Sequence, residues 1–424
     1  MDKLVIRGGT PLNGSVEVAG SKNGALPILF ASILAEEPVT LRNVPRLTDI
    51  RTTQRILGEL GLQVEEERGS LTITAPSTGP FTAPYNLVRR MRASVCCLGP
   101  LLARRGQARV SLPGGCAIGD RPIDLHLKGL KALGAEIKIR HGYIEATAKR
   151  LKGTTIFLSG PFGSTVLGTA NVLLAAARAE GATTIEGAAC EPEVVALAHF
   201  LRALGVRVEG EGTHCLRIEG AEGIGGAEFS IPPDRIEAGT YLLAGATAGG
   251  EITVKKCDPT QLRALIDVLH RTGVPLEVGE DWVRVWGAPE IEAIDVATLP
   301  YPGFPTDLQA QLMALLCRAR GISLITEKVY PDRFMHVAEL NRLGARIRKE
   351  GPTAIIEGGH PLSGADVMAS DLRASACLVL AGLIARGQTE VHRVYHLDRG
   401  YLRMEKKLLL LGADVQREYD EAGV

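Results

Sequence analysis

Aromatic side chains make up only 4% of the 424 residues, so the sequence offers few candidates for the base stacking that many nucleic-acid-binding surfaces use. Charge of one sign is not in excess either. Lys and Arg together number 48, and Asp and Glu together number 48, so the formal net charge is zero. This balance argues against bulk electrostatic capture of nucleic acid or of a membrane, and it is compatible with a local basic site.

Long apolar runs, a leader segment and metal-binding patterns are also missing. No run reaches the roughly 18 apolar residues of a membrane span, and Met1 leads directly into a strand-like segment, so we expect a cytoplasmic protein without membrane insertion. The 8 cysteines form no CxxC pair, which favours reduced thiols. No His, Cys or Asp spacing indicates a metal site, and no phosphate-loop or dinucleotide motif follows a strand. The sequence therefore predicts neither a metal nor a cofactor.

What the chain does contain is one sequence phrase repeated six times. Each copy is a leucine-rich stretch, then a glycine, then a short alternating run. The shared glycines, spaced by 73, 71, 68, 71 and 68 residues, are Gly61, Gly134, Gly205, Gly273, Gly344 and Gly412. A period held this closely predicts six copies of one supersecondary unit. The patterns in the second copy predict the order βαβαββ, in which the shared glycine ends the second helix.

The first helix of each unit is predicted from a stretch rich in Ala and Leu. These helices are expected over residues 22–35, 91–104, 169–180, 236–248, 307–320 and 373–385. The sixth copy ends one strand early, and the segment KLVIRGG after Asp2 resembles the missing strand, so we expect the N-terminus to close the last unit. The result is an α/β fold with two lobes of three units, residues 21–230 and residues 1–20 plus 231–424. Two strand crossings would form a double hinge that allows closure over a ligand.

Cationic residues recur where these helices are expected to begin. The second helix of each copy is predicted to begin thirteen residues before the shared glycine. At this position the second copy has Arg121 and the sixth has Arg399, whereas the other copies have Pro or Thr. Pro and Thr suit a helix start, but a cation there opposes the helix dipole. Lys22, Arg92 and Arg373 repeat this feature at the first helices. The pattern predicts anion sites facing a shared cleft; solvated surface cations are the alternative.

Two residues near these helix starts have reactive side chains. Cys116 lies in the glycine-rich loop LPGGCAIGD, where electropositive surroundings would lower the pKa of a thiol and let it act as an acid or nucleophile; an incidental loop cysteine is the alternative. Asp307 opens a first helix, either as a capping residue or as a carboxylate that accepts a proton. The other seven cysteines fit packing positions, and His126 and His336 fit helix positions better than catalytic ones.

Seven motifs, in this order, resemble those of one family. They are GSKNGALP, MRAS, LPGGC with IGDRPIDLH, FPTDLQAQ, DRFMHVAEL, DLRASACLVLAG and YHLDRGY. Over essentially the whole chain they resemble the UDP-N-acetylglucosamine 1-carboxyvinyltransferases, the enolpyruvyl transferases that open peptidoglycan synthesis. The resemblance implies two inside-out α/β barrels of three units each. It also implies phosphoenolpyruvate and UDP-N-acetylglucosamine as substrates.

The resemblance further implies roles for individual residues. Lys22, Arg121 and Arg399 would hold phosphoenolpyruvate, Cys116 would protonate its methylene carbon, and Asp307 would take the proton of the sugar 3'-hydroxyl. Substrate contacts would also come from Asn23, Arg92, Pro122, Ile123, Asp124, Leu125, Gly163, Ser164, Thr165, Val166, Val329 and Arg373. The loop over residues 158–171 is about two residues longer than the family form. A transferase acting on shikimate 3-phosphate and a non-catalytic sugar-nucleotide-binding protein are the alternatives.

We predict that Cys116→Ser nearly abolishes turnover or displaces its pH profile, because a hydroxyl does not ionise in the range where a thiol titrates. An ionised thiol is also a nucleophile, so fosfomycin should alkylate Cys116, and peptide mass mapping checks the position of the adduct. An adduct found on Cys96 or Cys257 instead would refute the assignment of the loop.

Overall fold

The shared glycines end the second helix of every unit because they adopt a left-handed backbone. Their φ values lie between 78° at Gly273 and 98° at Gly134, a region that is open to glycine at no steric cost. The protein's structure, a computed structural model, describes residues 2–67, 69–113 and 123–419. Within these ranges, helices and strands alternate as the repeat predicts.

The strands of the described residues are short, as expected for sheets that cover small repeated units. They are β1 (Asp2–Arg7), β2 (Leu12–Glu17), β3 (Val39–Arg42), β4 (Gln63–Glu67), β5 (Ser70–Thr74), β6 (Thr82–Ala83), β7 (Gln107–Ser111), β8 (Glu136–Arg140), β9 (Tyr143–Thr147), β10 (Thr155–Phe157), β11 (Ser159–Gly160), β12 (Gly163–Ser164), β13 (Ala182–Glu186), β14 (Arg207–Glu209), β15 (Cys215–Glu219), β16 (Ala227–Ser230), β17 (Gly250–Lys255), β18 (Leu276–Val278), β19 (Trp282–Trp286), β20 (Ile291–Glu292), β21 (Asp295–Thr298), β22 (Ala319–Arg320), β23 (Ile322–Glu327), β24 (Arg346–Glu350), β25 (Thr353–Glu357), β26 (Asp366–Met368), β27 (Gln388–His392) and β28 (Asp414–Tyr419).

The helices alternate with these strands. The α-helices are α1 (Lys22–Ala31), α2 (Thr48–Glu59), α3 (Tyr85–Val88), α4 (Leu98–Arg105), α5 (Asp124–Ala132), α6 (Val166–Ala176), α7 (Pro192–Ala203), α8 (Arg235–Ala248), α9 (Arg263–Arg271), α10 (Gln309–Leu316), α11 (His336–Arg342), α12 (Leu372–Ile384) and α13 (Met404–Leu410). Short 3-10 helices cover Ser32–Leu34, Arg92–Cys97, Pro259–Leu262, Thr306–Leu308 and Val394–Arg399. The longest α-helix, α8, has 14 residues, and none in the described part of the chain is both long and apolar enough to span a membrane.

Six four-stranded sheets carry the repeated units and confirm the order βαβαββ. The sheet orders are β16-β3-β5-β4, β6-β7-β9-β8, β10-β13-β15-β14, β2-β17-β19-β18, β21-β23-β25-β24 and β26-β27-β1-β28. In the second unit, for example, β6 lies parallel to β7, and the antiparallel hairpin of β8 and β9 joins the sheet through β9.

The N-terminal strand closes the last unit, as the sequence predicted. β1 lies antiparallel between β27 and β28, with Leu4 opposite both Val391 and Arg417. The next strand, β2, is parallel to β17 and is the first strand of the fourth unit. In the same way β16 is the first strand of the first unit, parallel to β3. The sequence predicted only a crossing at β16, because a four-residue edge strand beside glycines has almost no periodic signal.

Internal contacts divide the described chain into two compact units. The C-terminal unit comprises residues 2–19 and 233–419, and the N-terminal unit comprises residues 20–67, 69–113 and 123–232. Each has a hydrophobic core of its own.

The first helices of the repeats are buried in the centre of their unit. In the C-terminal unit α8, α10 and α12 contact one another, and in the N-terminal unit α1 and α4 both contact α6. Nearly every residue of α8 and α12 is buried, as expected for helices that are apolar on all sides. The sheets therefore cover helices, which is the inside-out arrangement expected above. Each four-stranded sheet is open, and no closed barrel forms among the described strands.

Two local predictions about helix starts were wrong. The position thirteen residues before the shared glycine begins a helix at Thr48 and Pro192. Pro331 instead lies in a turn before α11, which begins at His336. Arg399 ends the 3-10 helix Val394–Arg399, and α13 begins at Met404. Non-glycine residues with positive φ bound this segment, and the chain therefore turns twice where one helix was expected. The predicted first helices of the first, second and fifth units are also partly 3-10 in geometry.

A second glycine recurs just after the last strand of several units, where the backbone meets the end of the first helix. A Cβ on Gly220 would lie 1.8 Å from the carbonyl oxygen of Ala179, and one on Gly358 would lie 2.2 Å from that of Ala319. Real Cβ atoms do not approach backbone oxygens this closely, so the repeat requires glycine here.

We predict that Gly220→Ala lowers the free energy of unfolding by about 2 kcal/mol or more, because the methyl group must displace backbone. Urea unfolding measures the change. Gly223→Ala is the matched control, since a Cβ there meets nothing within 4 Å, and its effect should stay within about 0.5 kcal/mol. Equal effects of the two substitutions would contradict the close approach.

Candidate active site

Asp307 lies between two buried arginines in the C-terminal unit. Arg333 Nη1 donates to Asp307 Oδ1 at 2.8 Å, and Arg373 Nη2 donates to Asp307 Oδ2 at 2.8 Å. The side chains of Arg333 and Arg373 are 6% and 3% exposed, against 25% for Asp307. Both carboxylate oxygens of Asp307 therefore accept from guanidiniums, and the charges of Asp371 and Asp234 also stabilise the two arginines.

The ion pairs determine the protonation of Asp307. Burial alone would raise the pKa of Asp307, but the attraction of Arg373 and of Arg333, with their hydrogen bonds, holds that pKa well below its usual value. Burial alone would lower the pKa of Arg373, and the charge of Asp307 raises it above its usual value instead. Asp307 is thus ionised at neutral pH and, while it is paired in this way, a weak base.

A hydrogen-bond network holds Arg373 in this position. Asp371 caps α12 by accepting from the backbone N–H of Arg373 at 2.8 Å. Tyr401 Oη accepts from Arg373 Nη1 at 3.0 Å and from Gln311 Nε2 at 3.2 Å, and it lies 2.8 Å from Thr240 Oγ1. These bonds connect α8, α10 and α12 to the segment that follows Arg399. Tyr401 and Gln311 belong to motifs quoted above, but the motifs did not indicate that the two residues share a network.

Glu327 shapes the loop that contains Val329. This carboxylate is fully buried. Its Oε1 accepts from Thr298 Oγ1 at 2.5 Å and from the backbone N–H of Val329 at 2.9 Å, and its Oε2 accepts from Thr306 Oγ1 at 2.8 Å. Because Thr306 precedes Asp307, one buried side chain fixes Val329 beside the chain that leads into Asp307. The sequence analysis missed both Glu327 and Arg333, although Arg333 lies in the quoted motif DRFMHVAEL.

Lys22 begins α1 in the N-terminal unit and is itself buried, with 8% of its surface exposed. Its Nζ lies 3.4 Å from Asp49 Oδ2, and Asp49 is also buried. Ser21 caps the helix by accepting from the backbone N–H of Gly24 at 3.1 Å. Asn23 follows and is half-buried. A fixed ammonium at a capped helix start is suited to hold an anion.

Arg92 begins the 3-10 helix that precedes α4, close to the imidazole of His126. Burial, and then the positive charge of Arg92, lower the pKa of His126 to about 3. Asn171 Oδ1 accepts from the backbone N–H of Gly99 at 2.6 Å, so its Nδ2 is the donor to Val95 O at 3.0 Å and to His126 Nδ1 at 3.1 Å. His126 is therefore a neutral ring with its proton on Nε2, as the helix interpretation of this residue expects.

His336 lies eight residues before its shared glycine, as His126 does. It is buried, and burial is the main reason that its pKa falls to about 4. Both histidines are thus neutral at physiological pH and are unsuited to act as proton donors there.

Several residues predicted to bind the sugar nucleotide lie at adjoining ends of α5, β12 and α6. A Cβ placed on Gly160, in the strand paired with β12, would lie 3.4 Å from Leu125 Cδ1, so the start of α5 and this hairpin are neighbours. Thr165 caps α6 by accepting from the backbone N–H of Gly168 at 3.2 Å. The predicted residues in these segments are Ile123, Asp124, Leu125, Gly163, Ser164, Thr165 and Val166.

Three predicted residues, Cys116, Arg121 and Pro122, lie outside the described residues. Of the seven cysteines that the structure describes, all but Cys215 are buried. Burial raises the pKa of Cys96 to about 12 and that of Cys257 to about 11, as expected for packing residues. The prediction was wrong for Cys215, which begins β15 on the exposed side of that strand.

One group within the described ranges has metal-ligating side chains close together. Ligand atoms of Asp366, Glu390 and His392, on β26 and β27, lie within 4.8 Å of one another. Lys3 Nζ is 2.7 Å from Glu390 Oε2, however, so an ammonium already neutralises that carboxylate.

Comparison with known proteins shows the family of this chain. Residues 6–408 match the family model described as EPSP synthase (3-phosphoshikimate 1-carboxyvinyltransferase). Proteins named UDP-N-acetylglucosamine 1-carboxyvinyltransferase are 54% identical in Desulfovibrio desulfuricans and 55% identical in an Anaeromyxobacter species, in each case over 99% of this chain and 100% of the relative. The chain belongs to the UDP-N-acetylglucosamine 1-carboxyvinyltransferase branch of this family.

Solved structures agree with this membership. The enolpyruvyl transferase NikO of Streptomyces tendae superposes with a TM-score of 0.90 at 28% identity, covering 98% of both chains. An EPSP synthase of Acinetobacter baumannii, at 19% identity and a TM-score of 0.77 over 99% of this chain and 100% of that one, shares the fold alone. The chain is therefore an enolpyruvyl transferase, and the shikimate-directed alternative is not favoured.

We predict that Asp307→Asn lowers the free energy of unfolding at pH 7 by about 3 kcal/mol, because two buried guanidiniums lose their shared counter-ion. The pKa of Asp307 is depressed in the folded state, so its stabilisation is complete above the unfolded value near 3.8 and is lost as the pH falls through the folded value. Urea unfolding at a series of pH values from 7 to 3 measures the free energy of unfolding of both proteins. The difference in this free energy between the variant and the unsubstituted protein should become smaller only at acid pH.

Asp332→Asn, next to Arg333 in the chain, is the control, since the side chain of Asp332 is 78% exposed. A difference for Asp307→Asn that widened in acid, or one matched by the control, would contradict the ion-pair account.

Proposed function

We propose that this enzyme transfers the enolpyruvyl group of phosphoenolpyruvate to the 3'-hydroxyl of UDP-N-acetylglucosamine and releases phosphate. The observation that carries the proposal is the 54–55% identity over 99% of the chain to proteins of that name. Such an enzyme would be cytoplasmic and would supply the first committed intermediate of the peptidoglycan wall.

Lys22, Arg121 and Arg399 are proposed to hold phosphoenolpyruvate. The buried ammonium of Lys22 supports this role, because a cation withdrawn from water interacts more strongly with phosphate. The sugar nucleotide is assigned to Asn23, Arg92, the 121–125 stretch and the loop over 163–166, with Asp307 and Val329. The proximity of Leu125 to the hairpin at Gly160 supports a single continuous surface for it.

Asp307 is proposed to take the proton of the 3'-hydroxyl as that oxygen attacks C2 of phosphoenolpyruvate. Its two ion pairs make it a weak base, so the role requires that the pairs loosen when substrate binds. In addition to its contacts with Lys22, Arg121 and Arg399, the carboxylate or phosphate of phosphoenolpyruvate would compete with Asp307 for Arg373 and Arg333. As the guanidiniums turn toward the substrate, the pKa of Asp307 would rise towards a useful range, and base strength would follow substrate binding.

Cys116 is proposed to protonate C3 of phosphoenolpyruvate during the addition, giving a tetrahedral ketal. Loss of a proton from that methyl group and of phosphate from C2 then forms the enolpyruvyl ether. The acid, Cys116, donates a proton to C3, whereas the base, Asp307, accepts the proton of the 3'-hydroxyl. Nearby cations stabilise the phosphate as it leaves.

The test is release of inorganic phosphate by the purified protein. We predict release only when phosphoenolpyruvate and UDP-N-acetylglucosamine are both present, with mass spectrometry showing the enolpyruvyl ether of the sugar nucleotide. Phosphate released with shikimate 3-phosphate instead would support the alternative transferase. Binding of the sugar nucleotide in calorimetry without any phosphate release would support a non-catalytic protein.

A further inference from the structure

Arg417 gathers three carboxylates around one guanidinium in the C-terminal unit. Its Nη1 and Nη2 donate to the two oxygens of Asp398 at 2.9 and 2.6 Å. Nη2 also lies 3.3 Å from Glu405 Oε2, and Nη1 lies 3.3 Å from Asp2 Oδ2. The Arg417 side chain is only 21% exposed, and its hydrogen bonds to Asp398, followed by the charge of Asp398, hold the pKa of Arg417 above the usual value.

The partners of Arg417 flank the segment that contains Arg399. Asp398 directly precedes Arg399 at the end of the 3-10 helix, and Glu405 lies in the first turn of α13. The backbone of this region is constrained. Arg403, between Asp398 and Glu405, has φ of 47°, and Arg393, which precedes the 3-10 helix, has φ of 59°. Such left-handed positions are costly for side-chain-bearing residues and persist only where surrounding contacts enforce them.

Two contacts enforce this conformation from different directions. Tyr401 is almost fully buried and hydrogen-bonds towards Arg373, Gln311 and Thr240. Arg417, on β28, joins the 3-10 helix to α13 at the sheet.

We propose that Arg417 is a positioning residue for Arg399, and through it for the anionic groups of phosphoenolpyruvate. This inference rests on the proposed function. Arg417 acts in two ways. It fixes the segment 398–405, and it occupies both oxygens of Asp398, which would otherwise place an uncommitted carboxylate one residue from Arg399. That carboxylate would compete with the substrate for the guanidinium of Arg399.

The test compares steady-state phosphate release by the unsubstituted enzyme, Arg417→Gln, Arg417→Lys and the double variant Arg417→Gln with Asp398→Asn. Arg417→Gln should raise KM for phosphoenolpyruvate about tenfold or more, while the Kd for UDP-N-acetylglucosamine changes less than about twofold. Lysine should restore part of the loss, since it keeps the charge without the bidentate geometry. The double variant should also recover part of it, because the competing carboxylate is gone.

Arg346→Gln is the matched control, as it removes an exposed strand arginine whose pair with Glu357 is 3.1 Å long. A role confined to stability would lower Tm, affect both substrates alike and show no recovery in the double variant; that result overturns the proposal. So does an active Arg417→Gln enzyme with an unchanged KM for phosphoenolpyruvate. If Arg417→Gln does not fold, Arg417→Lys decides: a KM within twofold of the unsubstituted value refutes the inference. Failure of the unsubstituted enzyme to release phosphate would instead refute the proposed function.

Discussion

Burial of one apolar helix from each repeat against its neighbours is the constraint on which each unit depends. A helix that is covered on every side has no solvent-facing stripe on which to display polar groups. Charged side chains can therefore reach solvent or a ligand only at the ends of such a helix. Lys22, Asp307 and Arg373 all lie at or just before the start of such a helix. The architecture that makes the core stable thus also determines where chemistry can be placed.

A cation at a helix start is unfavourable, and the structure compensates for two of them, Lys22 and Arg373, with carboxylates. Asp49 faces Lys22, and Asp307 together with the capping Asp371 faces Arg373. Burial of an ion is tolerated when it is paired and hydrogen-bonded. This pairing explains how a chain with zero net charge can place buried cations at its helix starts. If the proposed function is correct, an anionic substrate would meet guanidiniums that already have partners, and its binding would exchange one ion pair for another.

Much of the fold could be predicted from the sequence because its signals are local and repeated. The left-handed glycines, the helices rich in Ala and Leu, and the strand missing after Gly412 all follow from short patterns, and the pairing of β1 with β28 confirmed the inference about the N-terminus. The strand β16 and the turn after Arg399 were missed for the opposite reason. Their conformations are set by partners distant in sequence, such as β3 and Arg417.

The site was predicted unevenly for a similar reason. Residue types with chemical meaning at repeated positions, such as Arg373 and Asp307, could be found by comparing copies. Glu327 and Tyr401 could not, because an acidic strand residue and a tyrosine become informative only when their hydrogen-bond partners are known. The sequence therefore indicates where charge is placed, and the structure adds what holds it there.

The pairing of Asp2 with Tyr419 in neighbouring strands has a consequence for biosynthesis. β1 must wait until β28 has been synthesised before its sheet is complete, which at about 5–20 residues per second is a delay of roughly 20–80 s. During that interval the buried residues of β1 lack part of the sheet that covers them, whereas the N-terminal unit already has all of its own sequence by Pro232. Newly made chains should accordingly pass through a stage in which one half is native and the other depends on protection from aggregation.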